Sequence, residues 1–159
     1  PLVGHLAAWN YFMSVETPEN AAFIKTWHAF IKDKKRVTND PMEAHYIGFN
    51  MWVQAAKQAG SIYVDAVRQA MYGQKVKNLT GGIAVMNTNH HLSKPVLIGE
   101  IQDNGQFSVV WETPSTVAGD AWSDYLEGSR DLISDWRKPM ECGNYNVVEA
   151  SCGGGVEAQ

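Results

Sequence analysis

Five histidines, two cysteines and a set of aromatic residues are the side chains with chemistry to offer in this chain of 159 residues. A metal site needs several ligands converging on one point. His5, His28 and His45 each stand alone, the last two on separate helical segments, and the adjacent His90 and His91 point to opposite sides of an extended chain. No metal centre is expected. Cys142 and Cys152 lie in a Gly-rich tail, remote in sequence from any histidine that would activate a thiolate. The sequence has no Gly-x-Ser-x-Gly elbow, phosphate loop, dinucleotide fingerprint or His-Glu-x-x-His motif. Neither a catalytic constellation nor a cofactor is expected, and the reading is of a protein that is not an enzyme. In an oxidising compartment Cys142 and Cys152 would close a small loop worth about 2–3 kcal/mol; in a reducing one they would be idle thiols. A disulfide between them is the favoured expectation.

Binding has better support than catalysis. Trp9, Asn10, Tyr11 and Phe12 end a strand-like run, the place where open α/β sheets hold their ligands. Tyr46 falls on the first turn of a helix, beside its electropositive end. Aromatic walls with one or two amide or hydroxyl groups suit a small, polar, uncharged ligand. Trp9, Asn10, Tyr11 and Tyr46 are therefore the candidate ligand-binding residues, with packing of a strand end under a helix as the alternative for each.

The elements that must position them start with residues 40–60. Asp40 as cap, Pro41 in the first turn, Glu43 completing a capping box and Gly60 at the end predict a helix. Its polar residues Glu43, Asn50, Gln54 and Lys57 form a narrow stripe, so the wide apolar arc predicts a helix gripped on several sides. Residues 2–12 read as a buried strand. Thr17 caps a second helix whose Phe23, Ile24, Trp27, Phe30 and Ile31 recur at three- and four-residue spacing. A shorter helix spans residues 63–72. Thr80-Gly81-Gly82 is a turn before a strand at residues 83–86, and Asn87 to Lys94 reads as a polar loop. Pro95 to Gln102 and Gln106 to Glu112 form a hairpin closed at Asp103-Asn104-Gly105. Residues 121–126 read as a helical turn, Trp136 as an anchor and residues 153–159 as frayed.

A net charge of -4 gives no electrostatic reason for nucleic acid or an acidic membrane surface as partner. No apolar run approaches the roughly 20 residues of a membrane span. One strand, three helices and a hairpin imply α/β layering from which part of a sheet is missing. With the start at Pro1, this points to a processed chain or a piece of a longer one.

The stretches GHLAAWNYFMSVETPENAAFI, EAHYIGFNMWVQAAKQAGS, GGIAVMNTNHHLSKPVLIGEIQDNGQFSVVW and DLISDWRKPMECGNYN resemble the C-terminal half of type I periplasmic binding proteins. The wording is similar to that of the urea-binding members that serve ABC transporters, and amide-sensing regulators share the outline. The likeness runs from Pro1 to about Asn146. It implies two Rossmann-like lobes of which this chain holds an incomplete, C-terminal portion. Residues 1–13 would be a strand and hinge crossover, and 14–86 the helical part of the N-terminal lobe. Residues 87–115 would be a crossover and the hairpin of the C-terminal lobe, and 116–159 a tail. It also implies a urea-like amide ligand with Tyr46 among its contacts, a membrane permease as partner, the N-terminal part of the protein's own chain, and a periplasmic or extracytoplasmic location. The alternative it leaves is an amide sensor acting through a protein partner.

Overall fold

The computed structural model describes residues 2–120 together with 122, 124, 125, 127, 128, 145, 146, 151 and 152. It divides into two units, Pro1–Asp120 and Ala121–Gln159. In the second, β7 (Tyr145–Asn146) pairs antiparallel with β8 (Ser151–Cys152). Cys142 of the expected Cys142–Cys152 bond, the Trp136 anchor, the frayed end at 153–159 and residues 121, 123 and 126 of the expected helical turn lie outside the described residues.

The first unit runs β1 (Leu6–Trp9), α1 (Pro18–Ile31), α2 (Asp40–Ala59), α3 (Val64–Met71), β2 (Lys75–Lys77), β3 (Ile83–Met86), β4 (Leu92–Ser93), β5 (Leu97–Ile101) and β6 (Phe107–Glu112). Two three-stranded antiparallel sheets result, ordered β1-β5-β6 and β2-β3-β4. In the first, Leu6 faces Glu100 and Trp9 faces Leu97, while the β5–β6 hairpin turns at Asp103-Asn104-Gly105 as the sequence predicts.

Helix α1 starts where expected. Thr17 accepts from the Asn20 N–H at 3.1 Å, and its own hydroxyl donates to the Leu79 carbonyl at 2.5 Å, tying the helix start to the loop after β2. Helix α2 differs from expectation in two respects. Its cap is Asn39, which accepts from the Met42 N–H at 3.1 Å, so Asp40 is already the first helical residue. Glu43 builds no capping box and belongs to the interior. The helix is also gripped on one side only: Glu43, Ile47, Met51 and Ala55, four residues apart, form one buried stripe, whereas Phe49 is 64% exposed. Ile47 and Met51 pack with Val76, Ala84 and Met86 of the β2-β3 sheet, with Met71 of α3 against the same cluster, and among the described residues no further layer covers the opposite face around Phe49. Gly60 ends it with φ +60, as a left-handed C-terminal residue should.

The expectation of a buried strand over 2–12 is corrected too. Only residues 6–9 are extended, and Leu6 is 63% exposed because β1 is an edge strand paired on one side. Burial begins just after it, at Tyr11 and Phe12. The polar loop of residues 87–94 contains β4, and β2 escaped the sequence because three residues with Val76 alone buried carry no legible period.

Candidate functional site

The chain leaves β1 at Trp9 and crosses to α1 through residues 10–17, and this crossover is pinned by a buried polar network. The Tyr11 ring is buried and its hydroxyl donates to Asn20 Oδ1 at 2.8 Å. With that proton committed, Thr38 Oγ1, 2.6 Å away, donates to the phenol oxygen. The Asn20 amide in turn donates to the carbonyls of Met13 at 3.0 Å and Val15 at 2.7 Å. Every buried group here is satisfied, which rigidifies the crossover.

Burial pushes the Tyr11 phenol from 10.0 up to about 12, with the charge of Glu43 adding to it and the Thr38 and Asn20 hydrogen bonds opposing. The folded chain keeps a proton that the unfolded chain loses, so this contribution is intact below pH 10.0 and disappears by about 12. Stability is expected to fall by about 2–3 kcal/mol across that window. Denaturant titrations at several pH values check it, and Tyr11→Phe should flatten the dependence.

Trp9 and Tyr11 line one cavity of about 320 Å³ with Phe12, Val37, Asp40 and Phe107; no Lys, Arg or His borders it. Phe12 stacks on Phe107 with ring centroids 4.5 Å apart, closing the cavity floor. Asn10 turns the other way. Its amide donates to the Pro95 carbonyl at 2.7 Å, and it borders a second cavity of about 360 Å³ with Asp40, His91, Leu92, Lys94 and Val117. Asp40 belongs to both cavities, and its Oδ1 is buried without a hydrogen-bond partner. Such an orphan acceptor costs on the order of 1–3 kcal/mol unless a donor reaches it.

One turn along α2, Glu43 is fully buried and ion-paired to Lys94, itself only 6% exposed. Burial raises the Glu43 carboxyl above its ordinary value, against the pull of the Lys94 ammonium. The Lys94 backbone is held by Val117 in both directions, at 3.1 and 2.8 Å.

Tyr46 stands apart from the other three. Half exposed, it tilts against Phe23 with centroids 4.9 Å apart and faces a separate groove with Asn50, Gln54, Lys75 and Lys77. The structure thus brings Trp9 and Tyr11 together, sets Asn10 across Asp40 from them, and leaves Tyr46 elsewhere. Asp40, Glu43 and Lys94 are the residues sequence reasoning missed. Glu43 read as part of a solvent stripe, and its partner lies 51 residues away.

The histidines are occupied locally. His28 donates a ring N–H to the Arg36 carbonyl at 2.8 Å, His45 to Pro41 at 3.1 Å, and His90 meets the Tyr72 hydroxyl at 3.1 Å. Among the described residues no three His, Cys, Asp or Glu side chains are placed to share a metal ion. No helix among them is long and apolar enough to cross a membrane.

The family model of the periplasmic binding protein domain matches residues 1–128. A benzoate-bound solute-binding protein of an ABC transporter from R. palustris superimposes with a TM-score of 0.64 at 16% identity, over 76% of this chain and 32% of that one. An ABC transporter substrate-binding protein from Sphaerobacter thermophilus gives 0.61 at 17% identity, over 72% and 32%. A leucine-binding protein from Thermotoga maritima gives 0.57 at 14%, over 70% and 31%. The chain therefore spans about a third of the length of these structures. A protein named limonene hydroxylase, from Geobacillus stearothermophilus, is 29% identical over 119 residues, covering 72% of this chain and 21% of that protein.

Proposed function

Because this chain belongs to the periplasmic binding protein family, we propose that it is part of the substrate-binding component of an ABC transporter, taking urea or a short-chain amide outside the cytoplasm and presenting it to a membrane permease. The observation that carries the ligand class is Asp40. Its side chain borders both cavities of the crossover and brings a carboxylate to them, and the aromatic cavity beside it has no basic side chain to receive a ligand carboxylate. An uncharged amide supplies an N–H donor without bringing a second negative charge.

In this reading residues 1–13 carry a strand and hinge crossover, 14–86 the helices of the N-terminal lobe, 87–115 a crossover and the hairpin of the C-terminal lobe, and 116–159 the tail. The N-terminal part of the same protein supplies the remaining walls. Trp9 and Tyr11 contribute on one side of Asp40 and Asn10 on the other, and Tyr46 joins them when the lobes close. Binding energy then drives transport only in so far as it favours the closed form over the open one.

Urea has four non-hydrogen atoms, so a ceiling near 1.5 kcal/mol per atom allows about 6 kcal/mol, or tens of micromolar. Calorimetric titration of the full-length protein with urea, acetamide, propionamide, benzoate and leucine tests the reading. An amide or urea is expected to bind at tens of micromolar or tighter, with benzoate and leucine at least tenfold weaker. Tighter binding of either carboxylate would sink it.

A further inference from the structure

The side of α2 turned away from its sheet is apolar. Opposite the buried stripe, His45, Phe49, Trp52 and Ala56 follow one another at spacings of four, three and four residues. Phe49 and Trp52 are exposed, and their rings stack on each other with centroids 6.1 Å apart. The one titratable group of this stripe, His45, has a ring nitrogen tied to the Pro41 carbonyl at 3.1 Å. The polar residues Asn50 and Gln54 stand on the flank instead, lining a groove with Lys75 and Lys77. Gly48, one turn before Trp52, points the same way. A glycine weakens the interior of a helix and is useful there where another backbone comes close. Yet nothing lies within 4 Å of the place that a Cβ at residue 48 would take.

Resting on the reading above only for the existence of a longer protein, we infer that this face of α2 is an internal packing surface, covered by the N-terminal part of the same protein. The chain spans 32% of the benzoate-bound and the Sphaerobacter thermophilus structures on which it superimposes, so most of such a protein lies outside it. A helix that is apolar on nearly every side belongs in an interior. The wide apolar arc of α2 is then satisfied, with one side held by its own sheet and the other by residues outside this chain. A second copy of the chain is the rival occupant. A two-fold dimer buries one patch on each copy, whereas Val110 and Trp111 of β6, in the other sheet, are exposed as well. A larger, covalently attached remainder reaches both. Its contact with α2 is an uncharged apolar element, set against Phe49 and Trp52 and with backbone or a small side chain over Gly48.

The test uses the full-length protein with Phe49 replaced by the photo-crosslinker p-benzoylphenylalanine, and crosslinked peptides identified by mass spectrometry. Crosslinks within one molecule to peptides of the N-terminal part are the expected result. Crosslinks to residues 121–159, crosslinks that join two molecules, or none at all overturn the inference. Gly48→Ala reads the same face by the sign of its effect. Alanine strengthens a helix whose surroundings are open and clashes where another element lies close. The melting temperature of full-length Gly48→Ala is therefore expected to fall, by roughly 3 °C. An unchanged or raised melting temperature means that nothing approaches Gly48 and overturns the inference too. Neither measurement involves a ligand. Failure of the amide calorimetry leaves the covered face standing, and an open face leaves the amide reading standing.

Discussion

Glu43→Ala is expected to lower the stability of this protein by about 3–5 kcal/mol, the largest effect of any single substitution considered. The carboxylate is fully buried and its partner Lys94 is 6% exposed, so truncation leaves an ammonium in the interior with no counter-charge. Lys94→Ala should cost a similar amount for the converse reason. Combining Glu43→Gln with Lys94→Met removes both charges while keeping volume, and should recover most of the loss, because two desolvated ions give back little net energy. Urea denaturation of the three variants against wild type measures this directly. A cost below about 1 kcal/mol for each single variant would mean that the pair behaves as a solvent-exposed one. The Lys77–Glu19 pair, at 2.8 Å with Lys77 74% exposed, is the internal control, and Glu19→Ala there should do far less.

Gly99→Val is expected to destabilise by about 1–3 kcal/mol and to open the aromatic cavity. A Cβ at residue 99 would lie 2.7 Å from Phe12 Cζ, 2.8 Å from Cε2 and 3.1 Å from Phe107 Cβ. Phe12, 5% exposed and stacked on Phe107, would have to tilt away from β5 and so disturb the aromatic cavity that both rings line. The alternative is displacement of β5, where the register with β6 already shifts at Ile98/Gly99. Denaturation together with near-ultraviolet circular dichroism of the aromatic rings reads both consequences. A valine accepted at less than about 0.5 kcal/mol, with the aromatic signal unchanged, would show that the Phe12–Phe107 stack yields easily.

Local chemistry was legible in the sequence, and long-range pairing was not. The Thr17 cap, the Gly60 terminus and the Asp103-Asn104-Gly105 hairpin are each fixed by residues within a few positions of one another, and the structure has all three. Asn39 and Asp40 are adjacent with the same capping chemistry, and only the backbone geometry shows that Asn39 takes the role. The exposed arc of α2, with Phe49 and Trp52, follows from how many elements press on it, which periodicity does not encode. Of the crossover residues, Trp9, Asn10 and Tyr11 were visible as an aromatic strand end. Asp40 and Lys94 were not, because their meeting with Asn10 depends on three distant segments arriving at one place. The family outline was legible for a different reason: it rests on long matching stretches spread over residues 1–128.

The antiparallel pairing of β1 with β5 also has a consequence in time. Asn10 must wait for Pro95, 85 residues further along, before the strand it follows meets β5. At about 5–20 residues per second of synthesis, β1 spends roughly 4–17 seconds without β5. Throughout that interval its Leu6 and Trp9 are open to any other nascent strand. β1 is thus synthesised before the three helices that follow it and joined to β5 only after all of them have left the ribosome.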